Sequence, residues 1–133
     1  MAVATTLDSL GLATYISLTT FRKSGDAVAT PVWVVRNDDF LYVITEDNSG
    51  KIKRLRNNSS VLVAPCDMRG RVQGDVVGGS ARIIDAEQAS SLRKLLAAKY
   101  GLQYRVMVLS ERVRAGKKRQ GRVVIEISVN EGT

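Results

Sequence analysis

Residues 13–46 read ATYISLTTFRKSGDAVATPVWVVRNDDFLYVITE, and their pattern decides the fold. The run 13–22 is rich in β-branched and aromatic residues and ends in Lys23-Ser24-Gly25-Asp26, the composition of a tight turn. The run 27–36 follows, closed by the turn cluster Asn37-Asp38-Asp39, and 40–46 makes a third strand. Connections this short join antiparallel neighbours, because a parallel pair needs a crossover of about a dozen residues or more. The expectation is a three-strand antiparallel meander. Pro31 stands inside the second run and has no N–H to give a central ladder, which directs that strand to a sheet edge or a barrel rim.

Downstream, SGKIKRLRNNS interrupts the strand pattern. Ile52 and Leu55 form the apolar side of a short helix and Ser49 stands at its N-cap position. Strand-like runs return at 61–66 and 76–85, where Gly78-Gly79 signals a bulge or the close approach of another backbone. A helix is expected from Asp85 as N-cap, with Gln88 at the capping-box position, Ala89, Leu92, Leu96 and Tyr100 on one face, and Gly101 at its end. Leu102, Val106, Leu109 and Val113 continue at helical spacing to about Ala115. The alternation Val123, Ile125, Ile127, Val129 closes the sheet with a last strand over 122–129. Six strands and these helices fit one domain, 1–133, either as an antiparallel barrel with helices outside or as an α+β sandwich with an exposed sheet face. The basic patch at 114–122, RAGKKRQGR, is expected to be a mobile loop.

Composition removes whole classes of chemistry. The 133 residues contain no histidine and one cysteine, Cys66. Nucleophile–His dyads, His-ligated zinc and proximal-His haem are therefore excluded, as are a disulfide framework or a multi-Cys metal site within one chain. No catalytic residue and no metal ligand is assigned. Cys66 reads as a small buried residue, and Asp67 and Asp75 as turn residues rather than an acid/base pair. The N-terminus lacks the features of a secretory signal and no apolar stretch approaches a membrane span, so a soluble cytoplasmic protein is expected.

The formal charge of +7 implies an anionic partner, and its position narrows which. With Ser49 as N-cap, Lys51 falls in the first helical turn, where free N–H groups and the helix dipole already make a positive potential. A hydroxyl, a permissive glycine at Gly50, free amides and a lysine at one point are the parts of a phosphate site. Arg54 shares the Lys51 face. A basic run on a short helix is ordinarily a solvated face, but no Asp or Glu within it forms a salt-bridge ladder, and Arg69 and Arg71 in CDMRGR can be carried toward the same mouth. Pro31-Val32-Trp33 is a second candidate: an interrupted strand leaves backbone groups that a flat heterocycle can pair with, the alternative being an edge strand with a core tryptophan. An aromatic content of 5% argues against a base-stacking nucleic-acid surface.

Taken in order, YISLTTFRKSGDAVATPVWVV, YVITEDNSGKIKRLRNNSSVLVAPCDMRGR, GSARIID and RVVIEI resemble the split β-barrel flavin and deazaflavin oxidoreductases related to pyridoxamine-phosphate oxidase. Within them the sequence is most similar to the actinobacterial branch that uses coenzyme F420. The resemblance spans about Leu12 to Val129 and implies a mainly β, six-stranded antiparallel split barrel with flanking helices that forms a homodimer with cofactor sites at the subunit interface. It also implies Ser49, Gly50 and Lys51 as phosphate binders with Arg54 and Arg56 in support, Thr45 beside the phosphate, Thr30, Pro31, Val32 and Trp33 along the ring, and Arg69 and Arg71 bordering the cofactor or substrate entrance. The sequence departs from the family in having Asn58-Ser59 after the basic helix, where a proline is common, and in lacking the vitamin-B6 oxidase signature near its C-terminus. The implied activity is hydride transfer from reduced F420 to a small organic acceptor. FMN in the same fold, or a cofactor carrier without turnover, is the alternative. Hydride chemistry resides in the cofactor, so the missing histidine is no obstacle.

Overall fold

The second predicted strand does not run unbroken, and its break organises the sheet. In the computed structural model, which describes residues 5–46, 49–84, 90–106 and 122–130, β1 (Tyr15–Phe21) pairs antiparallel with β2 (Ala27–Val32). The chain then leaves the ladder at Trp33 and Val34 and re-enters as β3 (Val35–Asn37), which pairs with β4 (Phe40–Glu46) instead. The expected meander is thus corrected: β2 pairs backward, β3 pairs forward, and six strands become seven. With β5 (Ser60–Cys66), β6 (Val77–Ile84) and β7 (Arg122–Val129), the sheet order is β2-β1-β5-β6-β7-β4-β3. The two edges are consecutive in the chain, joined by two residues, so the sheet must curl on itself. The result is a split β-barrel, and Pro31 lies in an edge strand as its missing N–H requires.

Strand alternation sorts side chains to two sides. Ile16, Leu18, Leu41, Val43, Val61, Val63, Ile125 and Ile127 point inward and are fully or almost fully buried. Two short helices join them. Leu7 and Leu10 come from α1 (Leu7–Leu12), at the start of β1, and Ile52 and Leu55 from α2 (Gly50–Asn57), between β4 and β5. Each such fully buried aliphatic side chain contributes roughly 1.5–3 kcal/mol. Helix α1 was not among the sequence expectations, although its N-terminal box is plain: the Thr6 side chain accepts from Ser9 N–H while the Ser9 hydroxyl accepts from Thr6 N–H. Gly79 in β6 marks a close approach, since a Cβ there would lie 2.4 Å from the Ser128 carbonyl oxygen on β7.

A second apolar cluster lies outside the barrel. Leu92, Leu96 and Tyr100 of α3 (Ser90–Tyr100) pack on the outward side chains Val35, Tyr42, Ile84 and Val124. Gly101 ends α3 at φ +52°, its N–H on the Ala97 carbonyl. Residues 102–106 are helical as expected, with Leu102 and Val106 exposed. Asp85, Gln88, Ala89, Leu109, Val113 and the basic stretch from Arg114 to Gly121 lie outside the described residues. Arg122 opens β7.

Candidate functional site

Helix α2 begins where β4 leaves the sheet. Ser49 is its N-cap, with extended backbone and a side-chain oxygen that accepts from Ile52 N–H at 3.4 Å, and Thr45, one residue before the end of β4, donates its hydroxyl to Ser49 Oγ at 3.3 Å. This leaves the Gly50 and Lys51 amides without an intrahelical acceptor. The Arg54 guanidinium folds back over them: a Cβ on Gly50 would be 2.7 Å from Arg54 Nη1, so glycine is what leaves room for the charge. Arg54 Nε is fixed by a 2.6 Å hydrogen bond to Oγ1 of Thr20, a buried residue of β1.

Lys51 is half-buried beside this group. Burial first, and the Arg54 charge second, hold its ammonium below the ordinary lysine value, with Glu46 pulling the other way. Helix terminus, Lys51 and Arg54 therefore form one positive focus, which is unfavourable unless an anion occupies it. A phosphate or phosphodiester fits this donor set, with Ser49, Gly50, Lys51 and Arg54 to hold it. Lys53 and Arg56 are exposed, and Arg56 sits in the last turn, where its charge complements the helix C-terminus; the structure does not bring Arg56 to the phosphate focus.

Thr30, Pro31 and Val32 close β2. Because β2 has β1 as its sole ladder neighbour among the described residues, its other backbone edge is open. Pro31 stands opposite Ser17, an offset of about 10 Å along β1 from Thr20, the residue that anchors Arg54. Trp33 is not part of that strand: it lies past the end of β2 and stacks on Tyr100, centroids 4.4 Å apart and planes within 9°. Arg69 and Arg71 are exposed in the turn after β5. Asp67 shapes that turn by accepting from both their backbone N–H groups, and Gly70, at φ +89°, lies against Pro31. The turn adjoins the Tyr15 end of β1, roughly 16 Å from Thr20, so these arginines border the β2 strand rather than the Ser49–Lys51 mouth.

Burial, reinforced by Asp67, pushes the Cys66 thiol up, in keeping with an inert buried residue. Among the described residues no group of His, Cys, Asp and Glu could hold a metal ion, and no helix is long and apolar enough to cross a membrane. A cleft of about 280 Å³ beside α3, lined by Asn37, Tyr42, Arg82, Ile84, Ser91, Leu92 and Glu126, contains none of the residues assigned from sequence. Sequence reading also missed Thr20, whose signal is only its place in β1, and Lys99 and Tyr100, which meet the β2–β3 break.

The antiparallel split barrel, with a positive helix mouth and an open edge strand, defines the class of fold. The sequence matches the pyridoxamine 5'-phosphate oxidase family over residues 6–133, and the chain belongs to that family. A search of the curated proteins finds no match. Among solved structures, the conserved hypothetical protein Rv2991 from Mycobacterium tuberculosis superposes with a TM-score of 0.68 at 18% identity, covering 98% of this chain and 83% of that one. An F420 reductase gives 0.63 at 16% identity over 96% of both chains. HutZ, the haem storage protein from Vibrio cholerae, gives 0.66 at 12% identity, over 94% of this chain and 87% of its own. At these identities the likeness is one of fold.

Proposed function

We propose that this chain is an F420-dependent reductase, transferring a hydride from the reduced deazaflavin to a small organic acceptor. The observation that carries the reading is the positive focus at the start of α2, where Ser49, Gly50, Lys51 and Arg54 converge with no carboxylate among the described residues closer in effect than Glu46. These residues would hold the phosphodiester, and the open edge of Thr30–Val32 would lie along the ring. When bound, F420 supplies a two-electron hydride donor. The chain supplies orientation and charge: Arg54 is anchored by Thr20, and the anion that Lys51 meets favours its charged form.

Assembly as a cytoplasmic homodimer belongs to the same reading. Helix α3 packs on the outer face of β3, β4, β6 and β7, whereas the outer face of β1 and β2 has no described helix over it and carries an exposed Ala29 and a half-buried Pro31. Met68, Val72 and Val76 are exposed beside it. A second copy fits such a small-residue face.

Titration of the purified protein with F420 and with FMN, followed by fluorescence, tests the reading. Binding of F420 in preference to FMN, and oxidation of the reduced form with an added enone or quinone, is the expected result. FMN binding with no response to F420 would replace the cofactor, and F420 binding without turnover on any acceptor would make the chain a carrier.

A further inference from the structure

The break between β2 and β3 leaves Val34 outside both ladders, fully buried, with an N–H and a carbonyl to satisfy. Helix α3 satisfies both. The Tyr100 hydroxyl accepts from Val34 N–H at 2.9 Å, and its single hydrogen has the Thr14 carbonyl at 2.7 Å and the Val34 carbonyl at 3.0 Å as acceptors. Lys99 Nζ donates to the Val34 carbonyl at 2.8 Å, and its other two hydrogens go to Gly11 and Ala13 carbonyls at 2.9 and 2.7 Å. The ammonium also lies 5.2 Å from the Tyr100 ring centroid, and Trp33 stacks on the same ring. Two adjacent side chains thus tie the end of α1, the start of β1 and the strand break to one helix.

The consequence reaches β2. An edge strand is held laterally by one neighbour alone, so its far end is placed by whatever fixes the residues after it. Those residues are Trp33 and Val34: among the described residues the Val34 backbone is bonded by Lys99 and Tyr100, and Trp33 stacks on the Tyr100 ring. We propose that Lys99 and Tyr100 are positioning residues for the cofactor strand: by holding Val34 they set the line and tilt of the open Thr30–Val32 edge, although neither adjoins the α2 anion focus. The proposal rests on the cofactor reading above, for which Thr30–Val32 is the ring contact.

Tyr100→Phe keeps the ring that stacks on Trp33 and removes the hydroxyl that holds Val34, and Lys99→Gln keeps two N–H donors of three. Trp33 is the single tryptophan of the chain, so its near-UV circular dichroism reads the break directly. Well below the thermal midpoint of each variant, Tyr100→Phe is expected to weaken coenzyme F420 binding about tenfold, the equivalent of one net hydrogen bond. The Trp33 signal should change while binding of inorganic sulfate at α2 is retained, and Lys99→Gln should show a smaller loss in the same direction. A lower thermal midpoint with unchanged F420 affinity and an unchanged Trp33 signal would make the pair merely structural and overturn the proposal. Equal losses of F420 and sulfate binding would overturn it as well, because the effect would then not be confined to β2. Wild-type protein that binds neither F420 nor FMN overturns the cofactor reading itself, and the positioning role with it; wild-type binding with an unaffected Tyr100→Phe removes the positioning role alone.

Discussion

Lys51 and Lys99 are both half-buried lysines whose ammonium is held below its ordinary value by burial, yet they are opposite kinds of site. Lys99 has a carbonyl oxygen for each of its three hydrogens, all within 2.9 Å. Lys51 has no hydrogen-bond acceptor among the described residues, a second cation beside it in Arg54, and a helix N-terminus at its back. A buried charge that is fully solvated by the protein supports the fold. One that is left unsolvated and crowded by like charge is poised for something from outside.

The largest effect separating the two is on stability. Lys99→Met takes this donor from the Gly11 and Ala13 carbonyls and leaves the Val34 carbonyl only Tyr100, and should lower the unfolding free energy by about 2–4 kcal/mol, read as a shift of the urea midpoint, while sulfate binding at α2 survives in the folded protein. Lys51→Ala should do the reverse. Its unfolding free energy stays within about 0.5 kcal/mol of wild type, since no described partner is lost and a repulsion with Arg54 is relieved. Its F420 affinity, measured by calorimetry, falls by roughly 1.5–3 kcal/mol, as for loss of a hydrogen bond to a charged group. Lys51→Ala with unchanged affinity would take that lysine out of the site and collapse the comparison.

One half of this contrast is readable in sequence and the other is not. Ser49-Gly50-Lys51 is a local signal, because an N-cap, a glycine and a cation in the first turn are fixed by spacing along one helix, and the positive focus follows from helix physics alone. Lys99 is legible only as a charge near a helix C-terminus. Its three acceptors lie 65 to 88 positions away, at a strand break that periodicity cannot foresee, since AVATPVWVVR alternates smoothly through it. The same smoothness turned seven strands into six. Strand existence, the edge role of Pro31 and the Leu92–Leu96–Tyr100 face were available from pattern. The short α1 was not, because six residues are too few for the helical period to stand out, although the Thr6–Ser9 box was there to be read. Placing Arg69 and Arg71 beside Pro31 rather than beside Ser49 needed the β1 register.

Gly50 sharpens the comparison with a smaller effect. An alanine there meets only the far end of the Arg54 side chain, which can swing away, and no positive φ stands in its way. Gly50→Ala should therefore hold or slightly raise stability, by up to about 0.5 kcal/mol through reduced backbone entropy of the unfolded chain. Sulfate and F420 affinity should each fall a few-fold as the guanidinium leaves the helix mouth. A thermal scan and a binding isotherm on the same sample read the two effects, and a loss of stability as large as the loss of affinity would mean that Arg54 is structural there rather than held in place for an anion.

The smallest effect is in pH, and its sign follows from the direction of the Lys51 shift. In the free protein the Lys51 ammonium gives up its proton below the ordinary value of 10.5, because burial and Arg54 oppose the charge. A bound anion opposes both causes and raises that value again. Between the two values the bound state carries more protons than the free state, so binding takes up a proton and affinity falls as the solution is made alkaline through this window. Sulfate is the clean probe, since its own charge does not change there. Calorimetry in two buffers of different ionisation enthalpy should show proton uptake by wild type and none by Lys51→Ala. Lys99 also titrates below its ordinary value, but its carbonyl partners are the same in both states, so its contribution cancels from the binding difference. An uptake that persists in Lys51→Ala would assign the titration to another group and leave the two lysines indistinguishable by charge alone.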